Sequence, residues 1–156
     1  MIICCDIDGV LADVRSYVEE YLPHDWKTYF SHTEEFEPIQ SNFDMVNTLL
    51  FDHQLVFVSG RPQANRIPTT NWLQQYLHLT KDDQLTLRLR ADADHRPTYE
   101  IKMEWFRELK PDLIIDDDPE VVKAATVEGF IVLQVHGFRC TERDSIPTNY
   151  LEEENK

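Results

Sequence analysis

Cys4-Cys5-Asp6-Ile7-Asp8-Gly9-Val10 decides the fold. Residues 2–7 form a short apolar run of the kind a buried parallel strand uses, and it ends on acids followed by a glycine that permits a sharp turn. Three other places have a polar group in a matching position: Phe57-Val58-Ser59-Gly60-Arg61, the lone Lys102, and Leu113-Ile114-Ile115-Asp116-Asp117-Asp118. In an open parallel α/β sheet, ligands bind outside the carboxyl ends of the strands. Polar residues placed just after different strands therefore converge on one crevice.

Working outward, the rest of the chain alternates in the same way. Strands are expected at 2–7, 54–58, 85–89, 112–115 and 130–135. Between them, 69–77 carries Trp72, Leu73, Tyr76 and Leu77 on one helical face, and 99–109 does the same with Ile101, Trp105, Phe106 and Leu109. Asp118-Pro119-Glu120 reads as N-cap, N1 proline and acidic first turn of a helix over 120–127, with Gly129 as its stop. The segment 13–41 interrupts the alternation. It carries Tyr17, Tyr21, Trp26, Tyr29, Phe30 and Phe36 and is long enough to be a small helical cap. The expectation is an α/β protein, a parallel sheet flanked by helices, with one domain over 1–150 and an acidic tail over 151–156.

Composition bounds the function. At 156 residues and 42% hydrophobic content the chain suits one domain with a substantial core. Met1 leads into apolar residues without a basic region, and no apolar run nears the roughly 18 to 20 residues that span a bilayer. A soluble, cytoplasmic protein without a membrane partner is expected. Cys4 and Cys5 are adjacent in a buried strand and Cys140 lies near the end, an arrangement that suits buried thiols better than a disulfide framework. The net charge of −14 argues against a long nucleic-acid footprint, because such binding needs many Lys or Arg contacts to phosphate. Arg88, Arg90 and Arg96 fall within nine residues of each other, readable as a solvated face or as substrate contacts.

The chemistry starts at Asp6 and Asp8. A carboxylate can attack phosphorus and form an aspartyl-phosphate, dividing one hard hydrolysis into two easier steps. Asp6 is then the nucleophile, and Asp8 the general acid and later the base. D-x-D also opens a calcium loop, but that loop wants an oxygen ligand at its fifth place and Glu at its twelfth, where this chain has Val10 and Tyr17. Ser59 can hold a phosphoryl oxygen, or Ser59-Gly60 can be only a turn. Lys102 can neutralise charge on a transferring phosphoryl group, or be a solvated helical lysine. A hard divalent cation needs oxygen ligands from separated segments, which Asp116 and Asp117 can help to supply while Asp118 caps the next helix.

Taken in order, DxDG, SGR, K and DD resemble the haloacid dehalogenase (HAD) phosphohydrolase superfamily. More narrowly, the chain resembles the 3′-phosphatase domain of phage-type polynucleotide kinase-phosphatases and their stand-alone relatives, from residue 2 to about residue 138. The most specific match is Arg90-x-x-x-Asp94-x-Arg96-x-x-x-x-x-Lys102, followed by Ile115-Asp116-Asp117, Val121-Val122 and Gln134-Val135-x-Gly137-Phe138.

The resemblance implies a HAD-like fold and a Mg²⁺ held by the Asp6 carboxylate, the Asp8 main-chain carbonyl and Asp117. It implies that Ser59 and Lys102 cradle the phosphate, that Asp116 orients Lys102 or a metal-bound water, and that Gly60, Arg61, Arg90 and Arg96 meet the substrate. Family members usually carry Asp four residues before the lysine; this chain has Thr98, and its acidic pair is a triple. The kinase motif GxxxxGK[ST] does not occur. The substrate implied is a phosphorylated nucleic-acid 3′ end or nucleotide. A 5′(3′)-deoxyribonucleotidase, matched by the opening Asp6 to Asp13, is the alternative within enzymes; an acidic binding protein without catalysis is the alternative outside them.

Overall fold

The computed structural model describes residues 1–137; Cys140 and the acidic tail 151–156 lie outside the described residues. Its frame is a five-stranded sheet in the order β5-β4-β1-β6-β7, in which all neighbouring strands run parallel. The strands are β1 (Ile2–Asp6), β4 (Gln54–Pro62), β5 (Thr86–Arg90), β6 (Leu113–Asp116) and β7 (Val132–Gln134). A separate two-stranded ribbon pairs β2 (Ala12–Asp13) with β3 (Glu37–Pro38). The helices are α1 (Arg15–Tyr21), α2 (Trp26–Ser31), α3 (Gln40–Leu50), α4 (Arg66–Tyr76), α5 (Thr98–Leu109) and α6 (Pro119–Val127).

Alternation along the strands builds three layers. Ile3, Cys5, Phe57 and Ile115 face one way and join Phe43 and Val46 of α3 and Trp72 and Leu73 of α4. Cys4, Val56, Val58 and Ile114 face the other way and join Met103 and Phe106 of α5 and Val121 and Ala125 of α6. Strands buried on both faces read as continuous apolar runs for this reason. Removing a fully buried ring such as Phe43 or Phe106 would cost about 3 to 5 kcal/mol.

Several boundaries differ from expectation. β4 runs on to Pro62 because Ser59-Gly60-Arg61 stays extended beside β5, whose register shifts between Ser59 and Pro62. α4 begins at Arg66 despite Pro68, since a proline in the first turn lacks only an N–H that has no intrahelical partner. β5 lies one residue later than expected, and β7 is shorter.

The interrupting segment holds two short helices and the ribbon, and α3 has already begun by Gln40. It is fastened to the body by polar bonds. Trp72 Nε1 donates to the Phe36 carbonyl at 2.8 Å, and Asn65 Nδ2 donates to the Phe30 carbonyl at 3.0 Å and to Thr33 Oγ1 at 3.1 Å. Among the described residues, no helix is long and apolar enough to cross a membrane.

Candidate active site

β1 and β6 are neighbours, so Asp6 and Asp116 emerge side by side at the same end of the sheet, with Asp117 one residue further along. Each of the three acids offers a carboxylate oxygen within 4.8 Å of the others, and all three are buried. Lys102 reaches them from α5, its Nζ 2.9 Å from Asp6 Oδ1 and 2.6 Å from Asp116 Oδ2. The other oxygen of Asp116 accepts the Asp118 N–H at 2.9 Å, so Asp116 is held from both sides. Asp6 differs: its Oδ1 has the ion pair to Lys102, and its buried Oδ2 has no hydrogen-bond partner.

Charge crowding shows in the titration of these groups. Burial pushes the Asp116 carboxyl up to about 6; Lys102 opposes that rise and the charge on Asp6 adds to it. Burial by itself would draw Lys102 down, but the carboxylates of Asp116 and Asp6 outweigh it and hold the ammonium above the ordinary lysine range. Beside them, burial pushes the Cys4 thiol up to about 12 and Cys5 well above its usual value, so both are inert thiols.

Asp8 sits on the turn after β1. Gly9 takes φ 88°, and the Ile7 carbonyl accepts from Leu11 N at 2.8 Å and Ala12 N at 2.9 Å, folding the chain back on itself. The Asp8 carboxylate takes a bidentate pair from Arg61: Nε to Oδ2 at 2.9 Å and an Nη to Oδ1 at 2.5 Å. Thr69, on the first turns of α4, receives the remaining Arg61 nitrogen at 3.0 Å. Ser59 is buried within β4, three residues before its end, its Oγ accepting the Arg61 N–H at 3.2 Å.

The three arginines expected at the substrate all have protein partners. Arg61 is buried against Asp8 and Thr69, and Arg90 is buried against the loop after β5. Arg96 is partly exposed and pairs with Asp94 at 2.7 Å and with Glu104. Gly60 is needed for close packing: a Cβ there would lie 2.9 Å from Thr98 Oγ1 and Cγ2. Thr69 and Glu104 were not singled out from the sequence, because neither has a signal beyond its place in an amphipathic helix.

The acids fit a Mg²⁺. A hard cation wants carboxylate oxygens, and this centre brings three acids together, one of which keeps a buried oxygen without a hydrogen-bond partner.

The comparisons with known proteins agree with this arrangement. Residues 1–137 match the family model described as the polynucleotide kinase PNKP phosphatase domain. The chain therefore belongs to that family of HAD-type phosphatases. No curated protein sequence matches it significantly.

Among solved structures, a chain of the Pnkp1/Rnl/Hen1 RNA repair complex is 23% identical with TM-score 0.67, over 86% of this chain and 42% of that one. The class C acid phosphatase of Bacillus anthracis with tungstate bound is 15% identical with TM-score 0.61, over 86% of this chain and 66% of that one. A HAD-family enzyme of Bacteroides thetaiotaomicron, in complex with magnesium and inorganic phosphate, is 11% identical with TM-score 0.52, over 90% of this chain and 96% of that one. At these identities the likeness is one of fold. The chain spans less than half the length of the chains it matches in the Pnkp1/Rnl/Hen1 complexes.

Proposed function

We propose that this phosphatase is a Mg²⁺-dependent phosphomonoesterase that removes 3′-phosphates from nucleic-acid ends or nucleotides through an aspartyl-phosphate on Asp6. The observation that carries the reading is the Asp6 carboxylate. It is buried at the end of β1, with Lys102 Nζ 2.9 Å from Oδ1 and with no hydrogen-bond partner on Oδ2. An acid kept in that state among two other carboxylates suits a nucleophile better than a structural group.

In this reading an Asp6 oxygen attacks phosphorus and the bond to the ester oxygen breaks. Asp8, protonated in the complex with substrate, gives its proton to that leaving oxygen. Water then attacks the aspartyl-phosphate, Asp8 takes the proton from the water, and inorganic phosphate leaves with Asp6 restored as a carboxylate. Ser59 and Lys102 hold the phosphoryl oxygens. Arg61 orients Asp8 through its bidentate pair. Asp116 holds Lys102 in place. Mg²⁺, when bound by the Asp6 carboxylate, the Asp8 carbonyl and Asp117, neutralises phosphoryl charge as a Lewis acid. The segment with α1, α2 and the ribbon serves as a small cap, and the protein works in the cytoplasm, where Cys4 and Cys5 stay thiols.

The 3′ substrate rests on the family match and on the Arg90 to Lys102 spacing that the chain has in common with polynucleotide 3′-phosphatases. An assay with Mg²⁺ across 3′- and 5′-mononucleotides, 3′-phosphorylated oligonucleotides and sugar phosphates tests it. The expected result is a preference for 3′-phosphates. Strong preference for 5′-mononucleotides would hand the site to the deoxyribonucleotidase alternative, and no hydrolysis of any of them would remove the phosphatase reading.

A further inference from the structure

The junction between β4, β5 and α5 contains a buried cation that the reaction sketched above does not use. Arg90, the last residue of β5, is almost wholly buried, and its guanidinium donates four hydrogen bonds to three separate segments. Nε donates to the Gly60 carbonyl at 3.0 Å, near the end of β4. One Nη donates to the carbonyls of Asp94 at 2.9 Å and Arg96 at 2.6 Å in the loop after β5, and the other to Thr98 Oγ1 at 2.8 Å on the first residue of α5. A guanidinium has five N–H groups, so these bonds leave it at most one for anything else.

We infer that Arg90 is a positioning residue: it fixes the first turn of α5 against the end of β4 and thereby sets Lys102 beside Asp6 and Asp116 for the phosphatase reaction. Three observations support this. α5 has no cap of its own, since Pro97 occupies the N-cap position and makes no side-chain cap bond. Arg90 does not cap the helix, since a guanidinium only donates, but it ties down the residues on either side of Pro97 through the Arg96 carbonyl and Thr98 Oγ1. Thr98 lies directly on Gly60, where a Cβ would come within 2.9 Å of it, so the helix start and the strand end are in contact where the arginine bridges them. Lys102 follows Thr98 by four residues, about one helical turn, so a shift of the helix start carries Nζ away from Asp6.

Two other roles make different predictions. A substrate contact would need free N–H groups. A purely electrostatic role would need only the charge, which a lysine would keep; Arg90 makes no ion pair among the described residues, and all four of its acceptors are neutral. A lysine cannot span four acceptors on three segments.

The inference rests on the phosphatase reading, so the test measures Mg²⁺-dependent hydrolysis of a small aryl phosphate together with hydrogen exchange of the intact protein. Misplacement of a catalytic group by about 1 Å can cost about a hundredfold. Arg90→Lys and Arg90→Met should each lower kcat by about that factor with KM within about threefold of the parent. Both should speed amide exchange over residues 91–100. Thr98→Val, which removes one acceptor and preserves shape, should lower kcat by about tenfold with KM unchanged, and it serves if the arginine variants fail to fold. Full kcat in Arg90→Lys, a raised KM at unchanged kcat in Arg90→Met, or parental exchange rates over 91–100 would overturn the positioning role. An inactive parent would instead remove the phosphatase reading, and the exchange rates would still decide whether Arg90 holds the loop.

Discussion

The site contains two buried cations that answer different needs. Arg61 meets one carboxylate, Asp8, in a bidentate pair, and the two charges cancel. Lys102 meets two, Asp6 and Asp116, with Asp117 beside them, so that centre keeps negative charge in excess. A matched buried pair holds geometry; an unmatched one draws in a further cation. In the proposed reaction the first centre would orient the proton carrier, and the second would be completed by metal and phosphate.

Removing the nucleophile is the most severe way to probe the second centre. Asp6→Asn keeps the shape of the side chain and should lower kcat by at least about a thousandfold, as loss of a covalent nucleophile does. The same change takes one charge out of the crowd, so the metal-free variant should melt no lower than the parent. Near-parental turnover in folded Asp6→Asn would break the proposed mechanism. Asp117→Asn should raise the Mg²⁺ needed for half-maximal rate by more than the roughly 10- to 100-fold that changes outside the ligand set typically cause.

Removing the cations compares the two centres directly. Breaking a buried ion pair by deleting one partner costs about 3 to 5 kcal/mol. Lys102→Met should lie at the upper end, because it strands several carboxylates together, and Arg61→Met at the lower end, because it strands one. Mg²⁺ should restore part of the thermal stability of Lys102→Met and little of that of Arg61→Met. Equal losses with equal rescue would show the two centres to be electrostatically alike.

Much of this was readable from the chain, and the division is physical. Asp6, Ser59 and Asp116 end apolar strands, a local pattern, and parallel pairing brings those ends together. Asp118 at the N-cap with Pro119 at N1 was equally local, and its side chain accepts the Glu120 N–H at 2.9 Å. The helix α3 was not singled out because nothing announces its start: Ile39 stands at its N-cap without a capping side chain. The arginine partners were hidden for another reason. Arg61 finds Asp8 53 residues away, and Arg90 finds mainly backbone carbonyls, which leave no trace in residue type.

Acidity supplies a gentler contrast. An acid whose folded pKa lies above its unfolded value weakens the fold when ionised, and that penalty disappears as pH falls through the folded value. Asp116 is raised from 3.8 to about 6, so the metal-free protein should gain stability from this group as pH drops from 7 toward 5. Mg²⁺ needs the neighbouring carboxylates ionised, so the rise in Tm that it produces should shrink over the same interval. Melting curves with and without Mg²⁺ at several pH values measure both trends. A Mg²⁺ effect that grows on acidification would contradict the placement of the metal in this centre.

The smallest effect belongs to the third acid of the triple. Asp118 caps the helix α6, its Oδ1 accepting the Glu120 N–H at 2.9 Å. Asn caps helices about as well as Asp, so Asp118→Asn keeps that bond and gives up the attraction of a negative charge to the helix N-terminus, about 0.3 to 1 kcal/mol. Stability should fall by less than about 1 kcal/mol, with kcat and the Mg²⁺ requirement close to the parent. This sets Asp118→Asn against Asp117→Asn, one residue away and chemically the same substitution. If Asp118→Asn were the variant that lost its response to Mg²⁺, the metal ligand would lie one position later in the chain, and the excess charge of the Lys102 centre would need another explanation.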